Sequence, residues 1–386
     1  MKLLNRKLPY ILLLILTLVS CAVPRKAVED VPPPEVKPEL EPGPFAISDI
    51  AVESRTFRPS NGETVSITYK LSRPGKAIIK IFDPDMYLIR DLTGEVDKPG
   101  LNRVIWDGRD LGGRVVPDGA YFFVIEALDS ERSLATYDPV TFSGGESIAP
   151  VELTFDRATG LVRYQLTRDA WVKIRAGISG GPLLKTIVNL APRLVGENEE
   201  FWDGKDDSGH VEIIGQKDWK LMAEAISLPE NSVIAVGNEE YDYFEYTNVM
   251  ASDRPRKSNR SVARGEKWLL GLPTDRLVRL GMQPRFRFEL PQAIAKTETQ
   301  IPIVRGKVPF LIILDKEVKR YVTEQRYEIV FFVDFRFGGE VDEGYSPYKW
   351  VWDSRTTRNG EHIITVNVAT LTGQVESVSL KVLVNN

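Results

Sequence analysis

Alternation with a period of two dominates this chain. In VSITYKLSRPGKAIIKIF, Val65, Ile67, Tyr69 and Leu71 fall on one side, which predicts a half-buried strand. Arg73-Pro74-Gly75 marks a turn, and Ala77 to Phe82 predicts a second strand. About 95 residues later LVRYQLTRDAWVKIRA, Leu161 to Ala176, follows the same plan. There Tyr164, Leu166, Thr167 and Arg168 stand where Tyr69, Leu71, Ser72 and Arg73 stand in the first copy. A turn signal repeats in step, as Trp106-Asp107-Gly108 and Trp202-Asp203-Gly204. Each is followed by a strand pattern: Tyr121, Phe123, Ile125 and Ala127 share one face, as do Trp219, Leu221, Ala223 and Ala225. A third, diverged version reads Trp352-Asp353-Ser354, then Asn359-Gly360, then His362, Ile364, Val366 and Val368 on one face. Short strands, regular turn signals and repeats of roughly 100 residues predict an all-β chain of three tandem β-sandwich domains.

The runs FRPSNGETVSITYKLSRPGKAIIKIFD and WDGRDLGGRVVPDGAYFFVIEA resemble the Ig-like β-sandwich of the flagellar hook-capping protein. That resemblance covers a first domain at 45–143, and a weaker copy spans 144–246. The C-terminal segment, 285–386, with EIVFFVDFRF and EGYSPYKWVWDSRTTRNGEHIITVNVAT, is similar to bacterial Ig-like domains of extracellular proteins. The resemblance implies the fold and not the flagellar role, because a different N-terminus precedes the first domain.

That N-terminus reads as a secretion signal over residues 1–20. Lys2, Arg6 and Lys7 give a positive start, and the apolar run Tyr10 to Leu16 is far shorter than the ~20 residues that span a bilayer. It ends in Leu18-Val19-Ser20-Cys21, which resembles the lipobox of bacterial lipoproteins and implies that Cys21 is lipidated and becomes the new N-terminus. Cys21 is the only cysteine, so the exported chain has no disulfide. Ala22 follows it rather than an aspartate retention signal, so the expected address is the cell envelope, at the outer membrane where the cell has one. Residues 21–44 carry Pro32-Pro33-Pro34, Pro38, Pro42 and Pro44 among charges, which predicts an extended tether reaching roughly 70 Å.

A formal net charge of −4 argues against a nucleic-acid partner. With His210 and His362 as the only histidines and no spare cysteine, zinc and most transition-metal chemistry has no ligand set. The acidic turns lack the spacing of a calcium loop, since Arg109 and Lys205 occupy the middle positions. Asp107, Asp203 and Asp353 are expected to cap turns, and Trp106, Trp202 and Trp352 to anchor the preceding strand, with Gly108 and Gly204 supplying positive φ. His362 shares the parity of core residues, no G-x-S-x-G occurs, and no glycine-rich phosphate loop opens a helix. We expect no catalytic residue, metal or cofactor, and no enzyme.

Between 247 and 284 lies a basic segment, with ten Lys or Arg against three acidic residues from Asp253 to Arg287. It is expected as a solvated linker, with a short helical turn from Thr274; a docking pad for anionic headgroups or an acidic partner is the other reading, with Trp268, Leu269, Leu270 and Leu272 adding apolar contact. The aromatic strips Tyr241/Tyr243 and Tyr348/Trp350 fit packing or a platform for glycan or peptide. The leading expectation is a lipid-anchored, non-enzymatic envelope scaffold with a protein partner. Glycan or peptidoglycan binding, and service in a secretion or surface-assembly machine, are the alternatives.

Overall fold

The computed structural model describes residues 43–84, 87–93, 98–141, 143–148, 151–249, 281–290 and 295–386. The lipobox, most of the tether and most of the basic segment, with Trp268 to Leu272 and Thr274, lie outside the described residues. The chain divides into Met1–Pro44 and Phe45–Asn386, and the sandwiches belong to the second unit.

The fold is all-β, and one strand plan occurs three times. In the first sandwich, Ile47–Val52, Val65–Leu71 and Gly100–Trp106 form a three-stranded sheet with Val65–Leu71 at its centre. The facing sheet centres on Gly75–Phe82, flanked by Leu88–Thr93 and Gly119–Asp129. The second sandwich repeats this with Leu153–Asp156, Leu161–Leu166 and Gly196–Phe201 against a sheet in which Ala170–Ile178 lies between Leu183–Arg193 and Trp219–Ser227. The third uses Phe286–Glu289, Lys307–Leu314 and Tyr348–Asp353 against Arg336–Val341, Tyr327–Val333, Gly360–Thr370 and Val375–Val384. Alternation sets the inward faces: Val65, Ile67, Tyr69 and Leu71 are all buried, as are Val162, Tyr164 and Leu166 in the second copy. Tyr121, near the start of its strand, donates its hydroxyl to Pro117 O at 2.8 Å, the tyrosine corner of Ig-like sandwiches. One α-helix, Lys316–Glu324, stands in the third sandwich and buries Val318 and Val322, one turn apart, on its core.

The first two sandwiches are not successive along the chain. One edge of Gly119–Asp129 is covered in two pieces: Leu134–Tyr137 pairs with Ile125 to Leu128, and Ser232–Ala235 pairs with Gly119 to Phe122. Ser232–Ala235 also pairs in parallel with Thr56–Phe57. The whole second sandwich therefore lies between two halves of one edge of the first. In the third sandwich a single strand, Val375–Val384, follows its neighbour by a hairpin and takes a parallel partner, Ile303–Val304, at its far end. The expected boundary at 246 thus differs from the structure, which gives residues 232–246 to the first sandwich. All four residues of the strand Ser-Val-Ile-Ala are buried there.

Burial on both faces explains why the return is needed. Tyr121, Phe123, Ile125 and Ala127 face the first core, while Ala120, Phe122 and Val124 join Phe82, Trp171, Leu228 and Ile234 in a separate apolar cluster between the sandwiches. Arg55 reinforces this junction with an ion pair to the buried Asp169 at 2.6 Å. Asn231 bridges it by donating Nδ2 to Phe123 O at 2.5 Å. The second and third sandwiches join through an amide exchange, Asn367 Nδ2 to Leu183 O at 2.8 Å and Leu183 N to Asn367 Oδ1 at 3.0 Å. Lys173 and Arg175 both donate to Gly373 O.

Phe122 is fully buried in the junction cluster, so Phe122→Ala is expected to cost about 3–5 kcal/mol of unfolding free energy. Urea denaturation followed by intrinsic fluorescence checks it. Because the strand belongs to the first sandwich and its outer face to the junction, both sandwiches are expected to unfold in one shifted transition.

Candidate functional site

The repeated acidic turns resolve into a common local device. Trp106 ends its strand fully buried and donates Nε1 to Arg109 O at 3.1 Å, while Asp107 Oδ1 accepts from Arg109 N at 3.1 Å. Trp202 donates to Lys205 O at 2.8 Å and Asp203 Oδ1 accepts from Lys205 N at 3.0 Å. Gly108 has φ of 70°, and a Cβ there meets Pro59 Cβ at 2.3 Å, so both conformation and space demand glycine. The inner acids are bound as well. Buried Asp110 accepts from Arg114 N at 2.9 Å and Arg114 Nε at 3.1 Å, and Asp206 Oδ1 accepts from Val211 N at 2.9 Å. In the third copy Ser354 replaces glycine, and Asp353 accepts from Arg355 N at 3.2 Å. The hydrogen bonds from the Arg355 guanidinium hold its carboxyl at about 2. Backbone amides and arginines take up these carboxylates, and among the described residues no group of three His, Cys, Asp or Glu side chains is placed to hold a metal.

His362 is 3% exposed, with Nδ1 2.6 Å from Asp334 Oδ2 and Nε2 2.9 Å from Arg358 O. Both ring nitrogens are therefore engaged away from any serine. His210 is exposed in its turn.

The aromatic strips hold segments together. Tyr241 donates to Val115 O at 2.5 Å, Tyr243 to Asp83 Oδ2 at 2.6 Å, and Tyr246 to Asp110 Oδ2 at 3.1 Å. These three hydroxyls clamp the returning chain onto the first sandwich, with Tyr241 stacked on Tyr246 at 5.8 Å. Trp350 lies nearly parallel to Phe331 at 4.4 Å, and Tyr348 stacks on the same ring at 5.9 Å. Tyr345, 60% exposed and edge-on to Tyr348, stands at the solvent end of that stack.

One recess was not marked by any motif. Where the three sandwiches and the returning chain meet, a cavity of about 540 Å³ opens. Trp171 and Leu190 of the second sandwich, Val236 and Phe244 of the returning chain, and Met282 and Val318 beside the third form its apolar wall. Trp171 is 6% exposed, yet its indole N–H has no hydrogen-bond partner among the described residues, nor has Asn189 Oδ1, on a second lining residue. Asn189 Nδ2 is occupied, donating to Gly281 O at 2.5 Å. Three of the four charged groups of the lining are committed, and Arg285 is the fourth. Arg193 holds Glu200 at 2.7 and 3.1 Å, while Asp118 and Asp242 accept from Asn238 N and Glu245 N. A signal for this site does exist in the sequence: in Ala170–Ile178 the inward parity is Ala170, Val172, Ile174 and Ala176, which leaves Trp171 facing outward beside Lys173 and Arg175.

Residues 54–131 match the FlgD Ig-like domain family. The match ends with the strand Gly119–Asp129, before both strands that complete its edge. Among solved structures, FlgD from P. aeruginosa is 16% identical over 39% of this chain and 93% of that one, with a TM-score of 0.20. The fibronectin(III)-like modules of Clostridium thermocellum CbhA are 9% identical over 87% of this chain and 94% of theirs, with a TM-score of 0.19. A solved chain from a 1.5-MDa bacterial ice-binding adhesin is 9% identical over 89% of this chain and 98% of that one, with a TM-score of 0.17. At these TM-scores none of the three assigns a role to the chain. No curated protein matches it.

Glu376, half-buried at the junction of the second and third sandwiches, has its carboxyl pushed up to about 7 from the usual 4.5, by burial first and then by Asp207. Lys185 and Arg285 act in the opposite sense, and Asp315 adds to the rise. The folded chain then keeps a proton that the unfolded chain has released between these values. Its contribution to stability is fully present below 4.5 and is lost as pH rises towards 7. Urea melts at about pH 5 and about pH 8 are expected to differ in the wild type, and Glu376→Gln is expected to flatten that difference.

Proposed function

We propose that the chain is a lipid-anchored, non-enzymatic scaffold of the bacterial cell envelope, held at a membrane through Cys21 and offering its sandwiches to a protein partner. The observation that carries the scaffold reading is the junction core. Phe82, Phe122, Trp171 and Leu228 form a buried apolar cluster between sandwiches, where a flexible chain of modules would expose polar surface to solvent. A spacer that transmits position needs such fixed joints, whereas independent binding modules do not. The distribution of polar chemistry agrees with this. The acids of the turns are spent on backbone amides, and both nitrogens of His362 are engaged by a carboxylate and a carbonyl.

Anchoring is supported by Leu18-Val19-Ser20-Cys21 after a short apolar run, and by the proline-rich stretch that follows it. A lipoprotein carries more than one acyl chain, enough for stable membrane attachment at ~0.8 kcal/mol per buried methylene. The lack of an aspartate after Cys21 favours an outer membrane over an inner one.

Membrane fractionation tests the anchor. The wild-type chain is expected in the membrane pellet after a high-salt wash, and Cys21→Ala is expected in the soluble fraction. Full retention of the variant in the washed pellet overturns the lipid anchor.

A further inference from the structure

Two residues make the hairpin turn between Tyr327–Val333 and Arg336–Val341, and both lie in the left-handed region, Asp334 at φ 48° and Phe335 at φ 65°. Such turns favour Asn-Gly, and a bulky side chain persists there only where its surroundings hold it. Two sets of contacts do so. Phe335 packs, with Ile363, against the core of the second sandwich, and a Cβ at Gly181 would meet the Phe335 carbonyl at 2.8 Å. On the other side Asp334 N donates to Ile363 O at 2.9 Å, and Asp334 Oδ1 accepts from Ile363 N at 3.0 Å. The second carboxylate oxygen, Oδ2, lies 2.6 Å from Nδ1 of the buried His362. The ring's other bond decides its charge. Nε2 is 2.9 Å from Arg358 O, a carbonyl that only accepts, so Nε2 carries a hydrogen. Nδ1 faces the Asp334 carboxylate, 47% exposed to water and an acceptor as well. A neutral imidazole has one N–H, so only the imidazolium makes both bonds.

We propose that the Asp334–Phe335 turn is a pH-sensitive latch on the second sandwich, closed while His362 carries both ring protons and released when Nδ1 loses its proton. Two lone pairs then face each other at Nδ1 and Oδ2, and Asp334 turns to the water that already reaches it. The strained turn loses one of its two holds, and Phe335 leaves the second sandwich. The hold is present at low pH and is lost as pH rises. The surrounding charges leave the ring to Asp334. Glu361, next to His362, pairs with Lys381 at 3.5 Å, Asp353 is held by Arg355, and Arg336 and Arg358 are the nearest cations along the chain. Across the joint Asp218 lends its carbonyl to Ser179, beside the loop that receives Phe335. Two more groups titrate at this joint: Glu376, and Lys173, whose amine is held below its ordinary value by burial and by Arg175. The amide exchange of Asn367 with Leu183 and the bond from Arg175 to Gly373 O do not depend on the latch, so the second and third sandwiches stay joined when it opens. The inference goes beyond the scaffold reading by making one joint adjustable, and its test does not involve the anchor.

The test uses the full-length chain carrying Cys21→Ala and Glu376→Gln, labelled with ¹⁵N-histidine and 4-fluorophenylalanine. His210→Asn leaves the His362 ring signals alone, and Phe335→Leu identifies the Phe335 fluorine by its loss. At about pH 5.5 both His362 nitrogens are expected to carry a directly bonded proton, and the Phe335 fluorine to show little shift between H₂O and D₂O. On raising the pH to about 9, one ring nitrogen is expected to lose its proton. Over the same interval the fluorine solvent shift is expected to rise to the value of the urea-unfolded chain. His362→Phe keeps a ring in place without either donor, and its Phe335 fluorine is expected to be solvent-exposed at both ends of the range. The readings on the unsubstituted ring stand whether or not that variant folds. A bare ring nitrogen at the acid end overturns the latch, as does a ring that keeps both protons throughout. So does a Phe335 fluorine that is exposed at the acid end or stays shielded after the ring has lost its proton. A fluorine that follows pH in His362→Phe as it does in the parent assigns the release to Lys173 or another group, and overturns the role of His362.

Discussion

The edge of strand Gly119–Asp129 governs the rest of the molecule. This strand is buried on both faces, facing the first core on one side and the junction on the other. From Gly119 to Ile125 every residue is buried, so the N–H and C=O groups there need protein partners. Gly75–Phe82 takes one edge from Phe122 to Asp129, and Leu134–Tyr137 takes only the far half of the other. The remaining groups, from Gly119 to Phe122, are met by Ser232–Ala235. Once that requirement is fixed, the second sandwich must leave and return beside the first. Its two ends are then held close together, and its sheet is pressed onto Phe122.

The same logic separates the three copies. In the third sandwich Val375–Val384 is long enough to cover its neighbour alone, so nothing is inserted. The turns behave in parallel. In the first two copies an indole N–H, a carboxylate and two main-chain groups close the loop, and in the third Asp353 keeps the same bond to the amide two residues on. The flanking acids drift because each needs only a nearby amide or arginine, and many sequences provide one. In the third copy Ser354, fully buried, replaces the glycine of the other two.

Much of this was legible in the residues. Alternation marked the strands, the spacing of Trp106, Trp202 and Trp352 marked the repeat, and the all-β fold followed. What stayed hidden was which edge a strand chooses. Ser232 to Ala235 reads as a short apolar run, and nothing local distinguishes pairing with Trp219–Ser227 from pairing with a strand over 100 residues earlier. The decisive clue lay in the opposite parity: Ala120, Phe122 and Val124 are as apolar as Tyr121, Phe123 and Ile125, the mark of a strand covered on both sides. Tyr241 and Tyr243 fitted either packing or a platform, because tyrosine carries both a flat ring and a polar tip. The tips reach Val115 O and Asp83, so the strip closes the return. The cavity was illegible for a related reason, since its walls come from segments that meet only through the insertion. Trp171 was its one outward sign.

A cavity of this kind is a consequence of joining modules by burial. Two sheets twisted in their own directions do not tile perfectly when a third surface is added, and the misfit collects where all three meet. Filling it with larger side chains would close the misfit at the cost of overpacking. Leaving it lined by apolar groups alone would produce a dry void that binds without direction. Here an indole N–H and an amide oxygen of the lining residues stay buried without partners among the described residues, each destabilising the fold by about 1–3 kcal/mol while unmet. The recess belongs to the joint, and neither sandwich alone contains it.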